Sequence, residues 1–198
     1  MIRVKNMNLE LLQQQMKTVM NEKRYEHTLG VSYTSAALAM RYGYDITAAR
    51  VAGMLHANAK CVDDLTLLQL SNQYGLPVSE AEKQNPYLLH AKVGAYLAKE
   101  KYGVGEDEII QAVRYHTTGR PNMSLLEKIV FVADYIEPNR RMIDGLDEIR
   151  QLVFEDLDQG VAKILERTLQ YLKSKSNEQS SIDEMTVMAY EYYKDCIF

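Results

Sequence analysis

The segment SLLEKIVFVADYIEP, residues 124–138, admits essentially one conformation. Ser124 and Glu127 stand three apart at its start, the spacing of a capping box. Leu125, Leu126, Ile129, Val130 and Ala133 then recur along one face, and Pro138 closes the run. The rest of the chain repeats this grammar: apolar residues recur at helical rather than alternating spacing, and only 4 prolines and 10 glycines interrupt them. The pattern predicts an all-α fold.

Further elements follow from local signals. A first helix carries Leu11, Met16 and Met20. A second runs from about Arg24 to Tyr42 and stops at Gly43, where a left-handed turn favours glycine. A third covers about Ile46 to His56. Asp63 or Asp64 caps a fourth through Leu65, Leu68 and Tyr74, ended by Gly75, and Pro86 suits the first turn of a fifth that ends at Gly103. A sixth spans about Glu106 to Tyr115. After the 124–138 helix, one long helix is expected from about Leu146 to Leu172, then the polar run KSKSNEQSS as a linker, then a short last helix from Ile182 to about Asp195.

With 198 residues, a single domain is expected. There are 23 Lys and Arg against 27 Asp and Glu, a formal net charge of −4, which argues against a non-specific nucleic-acid or anionic-membrane binder. Two cysteines, Cys61 and Cys196, are too few for a disulfide scaffold. No apolar run reaches the roughly 18–20 residues of a membrane span, and the N-terminus lacks the pattern of a secretory leader. The expectation is a soluble cytoplasmic protein.

All four histidines, His27, His56, His90 and His116, fall in the first 116 residues. Each alone has an ordinary explanation, such as a solvated ring or a helix-terminal imidazole. Their settings make a cluster the better reading. Each lies near a helix end and near a polar neighbour: Arg24 before His27, Lys60 after His56, and Thr117, Thr118, Gly119 and Arg120 after His116. Neutral imidazoles suit divalent transition metals, and helical bundles build such sites from several helices. Asp134, inside the apolar IVFVADYI, supplies the balancing carboxylate, because an acid there is costly to bury without a cation. Arg24, Lys60, Arg120 and Arg140 are candidate phosphate contacts, with Thr117, Thr118 and the Gly119 backbone as neutral donors. Tyr25 and Tyr115 are candidates to face a base.

These residues, with the strings RYEHTLGV, RVAGMLH, LLHAKVGAYLA and AVRYHTTGRPNMSLLEKIVFVADYIEPNR, resemble the HD-domain metal-dependent phosphohydrolases. They resemble most closely the YqeK family of symmetrical bis(5'-nucleosyl)-tetraphosphatases, over roughly residues 20 to 172. The resemblance implies an HD-domain helical core over about residues 20–145 with a helical extension over 146–198. It also implies hydrolysis of diadenosine tetraphosphate to two ADP. Iron(II) is the implied metal, with manganese(II) or zinc(II) as alternatives, and a homodimer is suggested. His27, His56 and Asp134 match the metal ligands. His90 and His116 match either a second metal site or phosphate contacts, and Lys60, His90 and His116 are the expected catalytic set.

One position departs from the pattern. Where the family carries the aspartate of its His-Asp pair, this chain has Ala57. Asn58 is no replacement, since its amide is neutral and the next helical position projects roughly 100° away. The expectation is a hydrolase strongly impaired by Ala57. The alternatives are a nucleotide-binding or sensing protein without catalysis, or an HD-type hydrolase of another nucleotide.

Overall fold

The computed structural model describes residues 7–175 and 182–197. The helices are α1 (Leu9–Val19), α2 (Glu22–Tyr42), α3 (Ile46–Leu55), α4 (Asp64–Gln73), α5 (Glu80–Gln84), α6 (His90–Glu100), α7 (Asp107–Tyr115), α8 (Leu125–Ile136), α9 (Leu146–Glu155), α10 (Leu157–Lys175) and α11 (Glu184–Tyr193). Single 3-10 turns cover Pro86–Leu89 and Lys194–Ile197. No β-strand occurs among the described residues, as the spacing predicted. None of the described helices is long and apolar enough to cross a membrane.

Start signals are explicit. The side chains of Asn8, Asn21, Asp45, Asp63 and Ser124 each accept a hydrogen bond from the backbone N–H three residues on, satisfying a donor that a helix start would otherwise leave unpaired. At the end of α2, Gly43 takes φ +70 and donates its N–H to the Ala39 carbonyl.

α8 is the central element. Leu126, Ile129, Val130 and Val132 are wholly buried, and the helix packs against α2, α3, α7, α9 and α10. Burial of each such side chain stabilises the fold by about 1.5–3 kcal/mol, so a charge at Ile129 would break the bundle. The main core runs from Leu12 and Met16 on α1 to Ala189 and Tyr193 on α11. A smaller cluster of Ala59, Leu67, Leu89 and Val93 ties the turn after α3 to α4 and α6. Where α2 and α3 meet, a Cβ on Gly53 would press on the Ser32 backbone, so glycine permits the close approach.

Four expectations change. On α1 the core residue is Leu12, while Leu11 is half exposed; on α4, Leu67 is buried and Leu65 faces solvent. Both shifts rotate the apolar stripe by one or two positions: α4 is weakly patterned, while on α1 the buried pair Leu12 and Met16 is spaced four apart and leaves Leu11 to one side. An unexpected short helix, α5, starts with its own capping box between Ser79 and Glu82. The expected helix from Leu146 to Leu172 is two helices. Asp156 adopts an extended conformation (φ −140, ψ 111), and its carboxylate accepts from the Gln159 N–H, capping α10. Gly160 then lets α10 fold back tightly against Val153 of α9. Of the expected linker, residues 176–181 lie outside the described residues, while Lys173–Lys175 continue α10.

Candidate metal centre

Helix ends deliver the histidines. His56 is the first residue after α3, His116 the first after α7, and His90 sits where the 3-10 turn passes into α6. All three rings are anchored alike. Nδ1 of His56 lies 2.6 Å from the Gly53 carbonyl, that of His90 2.6 Å from Tyr87, and that of His116 2.7 Å from Val113, each acceptor three residues earlier. A carbonyl only accepts, so Nδ1 carries the proton and Nε2 presents a lone pair.

His27 is different, lying within α2. Its Nδ1 lies 3.0 Å from Oε1 of Glu137, and its Nε2 lies 3.0 Å from Oδ1 of Asp134. His56 Nε2 is 3.8 Å from the same oxygen. The rings of His27, His56, His116 and His90 form a chain of edge contacts, with centroids 5.4, 5.1 and 5.1 Å apart in that order. His90 and His116 bring their Nε2 atoms within 3.2 Å of each other, and the Thr117 hydroxyl lies 3.2 Å from His116 Nε2.

This is an arrangement of electron-rich atoms facing one another. The Nε2 atom of His56 is buried and lacks a hydrogen-bond partner, and that of His27 faces the Asp134 oxygen at 3.0 Å. One ligand atom each from His27, His56 and Asp134 falls within 4.8 Å of the others. Two imidazole lone pairs and a carboxylate oxygen fit a divalent transition metal. Burial favours the neutral rings, pushing His56 down to about 3 and lowering His90 and His116 as well. Burial alone raises the Asp134 carboxyl, but a proton shared with His27 and the attraction of the surrounding rings once these are protonated outweigh it and hold the group below the usual carboxylate range.

The remaining expected residues divide. Lys60 stands at the edge of the histidines, with Nζ 3.4 Å from the His90 ring and lying over Tyr87; burial, then repulsion from Arg24, lowers its pKa. Arg140, with 42% of its side chain exposed, places a guanidinium nitrogen 3.9 Å from Asp134 Oδ1. Thr117, Thr118, His116, Asp134 and Arg140 together line an open cleft of about 1490 Å³. Arg120 is directed elsewhere: its fork binds both carboxylate oxygens of buried Glu127 at 2.6 and 2.7 Å. Gly119 (φ +63) turns the chain beneath α11, close to Ala189, and the Thr118 hydroxyl donates to the Gly119 carbonyl. Tyr115 is flanked by Arg114 and Arg120, and Tyr25, half-buried, packs against the main core.

Ala57 is buried beside His56, and Asn58 turns its amide to the Gly94 carbonyl at 2.9 Å. Glu137 escaped the sequence reading. Its one local signal is an acid at the end of an apolar helix, directly before Pro138.

Residues 24–139 match the HD domain family. The chain is 42% identical to the symmetrical bis(5'-nucleosyl)-tetraphosphatase of Bacillus subtilis over 81% of its own length and 85% of that protein's. It is 35% identical to the enzyme of the same name from Staphylococcus aureus over 94% and 95%. A crystal structure of an HD superfamily hydrolase from Clostridium acetobutylicum, described as involved in NAD metabolism, superposes with a TM-score of 0.90 at 34% identity, covering 96% of this chain and 98% of that one.

Proposed function

Because the chain belongs to the HD-domain family, in its branch of symmetrical bis(5'-nucleosyl)-tetraphosphatases, we propose that its site is built to hydrolyse diadenosine tetraphosphate to two ADP, and that Ala57 strongly reduces this activity. Support comes from one observation above all: four imidazoles with Nδ1 committed to a partner turn their Nε2 atoms toward one region beside Asp134. His27, His56 and Asp134 hold the cation, with iron(II) as the proposed metal and manganese(II) or zinc(II) as alternatives. A bound divalent cation neutralises charge on phosphoryl oxygens and activates water.

The chain's own residues do the rest. Lys60, Arg24 and Arg140 form the cationic rim that receives the polyphosphate. Arg140 suits a two-pronged contact and Lys60 a point contact. Thr117 and Thr118 add hydroxyls on the cleft wall. His90 and His116, both neutral, either hold a second cation or contact phosphate. Arg120 and Gly119 shape the loop rather than touch substrate. We place the protein in the cytoplasm as a homodimer, which sedimentation at micromolar concentration checks.

A second reading, nucleotide binding without turnover, is favoured by Ala57 itself. ADP release measured anaerobically with iron(II), for this chain and for Ala57→Asp, separates the two. Low release that rises at least tenfold in the variant supports an impaired hydrolase. No release from either, with ADP still bound in a calorimeter, supports the second reading, and full release from the chain as it stands refutes the role given to Ala57.

A further inference from the structure

We infer that Glu137 is a positioning residue that sets the tautomer of His27 and thereby keeps Nε2 of that ring available as a metal ligand. The inference rests on the cation site proposed above and concerns a residue that contributes no ligand atom to it.

His56, His90 and His116 find an acceptor for Nδ1–H in a carbonyl three residues back. His27 is the sixth residue of the 21-residue helix α2, where the neighbouring carbonyls are engaged in the helix itself. An acceptor has to come from elsewhere, and Glu137 supplies it from 110 residues away at 3.0 Å. Two neutral tautomers of His27 therefore compete. With the proton on Nδ1, the ring donates to Glu137 and Nε2 is free to bind a cation. With the proton on Nε2, the ring donates to Asp134 Oδ1, also 3.0 Å away, and both candidate ligand atoms are consumed by one hydrogen bond. A carboxylate behind a metal-binding imidazole resolves such a competition in favour of the ligand form.

The surroundings hold Glu137 in this role. Its side chain is 1% exposed. Oε2 accepts from the Asn139 N–H at 2.7 Å, so two donors converge on the group and only a carboxylate can accept both with separate oxygens. Arg150 donates to the Glu137 and Ile136 carbonyls, fixing the backbone at the end of α8. On the facing helix, Gly30 makes the space: a Cβ there would collide with Glu137 Oε2. Glu137→Gln keeps the shape but offers a single acceptor, which the Asn139 N–H takes, turning the amide NH2 toward Nδ1.

The test is long-range two-bond 15N–1H spectroscopy of the imidazoles in chelated protein, together with calorimetric titration of manganese(II), for the unchanged chain, Glu137→Gln and Gly30→Ala. Thermal melts confirm that each variant is folded. The expected result is an Nδ1–H tautomer for His27 in the unchanged chain, a shift toward Nε2–H in Glu137→Gln, and about 10–100-fold weaker manganese binding. Gly30→Ala, which displaces the carboxylate without altering it, should give the same tautomer shift should Glu137→Gln fold poorly. An Nε2–H tautomer in the unchanged chain, or tautomer and affinity both unaltered in the two variants, overturns the inference while leaving the cation site standing. If the tautomer shifts as expected but even the unchanged chain binds no manganese, Glu137 does position His27 and it is the cation site that falls.

Discussion

Arg120 and Arg140 look alike in the sequence, each a cation just beyond a site residue, and the fold gives them opposite roles. Arg120 closes two hydrogen bonds on Glu127, whose Oε2 also accepts the Ser124 N–H at 2.7 Å. Arg120→Met leaves a buried carboxylate short of donors and should lower stability by about 2 kcal/mol, read from urea denaturation. Arg140→Met removes a side chain in contact with solvent. Stability should stay within about 0.5 kcal/mol while the KM for a dinucleoside polyphosphate rises. If Arg120→Met unfolds at the same urea concentration as the parent, the structural role assigned to it is wrong. The sequence displays the capping box that explains one contact of Glu127, but not the two donors of Arg120 arriving from the loop. Glu137 was hidden for a related reason: its partner His27 lies on another helix, and no spacing rule links them.

The starts of α4 and α8 were legible because a cap is a local event: Asp63 and Ser124 act within three residues of themselves, whereas the Asn8 and Asn21 caps went unread and α2 begins at Glu22, ahead of the expected Arg24. The break between α9 and α10 was not legible, since Asp156 reads equally well as a solvated helical residue until Gly160 and Val153 pack together. α11 matters beyond Thr186, which it lends to the cleft wall. Tyr193, 3% exposed, accepts the Met123 N–H at 2.8 Å, tying the last helix to the loop that begins at Thr117. Burial pushes this phenol up to about 12, above its unfolded value near 10, so the fold prefers it protonated. Its stabilising contribution is therefore intact below pH 10 and disappears as pH rises from 10 to 12. Tyr193→Phe should lose about 1–3 kcal/mol at neutral pH, from the orphaned Met123 N–H, and show a shallower decline across that alkaline window in chemical denaturation.

At the scale of the whole molecule, the neutral imidazoles link folding to acidity. His56, His90 and His116 all have folded values below the ordinary 6.5, through burial first, so their unfolded counterparts bind protons more readily. Stability of the chelated protein should be full above about pH 6.5 and fall steadily as pH drops toward 3, the direction opposite to that of a paired, charged histidine. Calorimetric melting in chelator between pH 8 and 4.5 checks this; a flat profile would mean the rings are not buried as neutral groups. A cation that binds only the folded chain adds about 2.7 kcal/mol at a hundredfold excess over its Kd, so melting in manganese(II) or zinc(II) doubles as a binding assay. The all-α class was visible because periodicity is repeated in every helix, whereas the convergence of His27, His56 and Asp134 depends on how three helices cross: the polar settings of the histidines and the acid inside an apolar run suggested a cluster, and the resemblance gave the ligand set.

His27 and its buried carboxylate partner are separated by 110 positions along the chain. During synthesis the first two imidazoles therefore leave the ribosome well before α8 exists to face them. A nascent chain halted before residue 134 displays histidines with no acid facing them, so on the proposed reading the cation set closes only once α8 has been made.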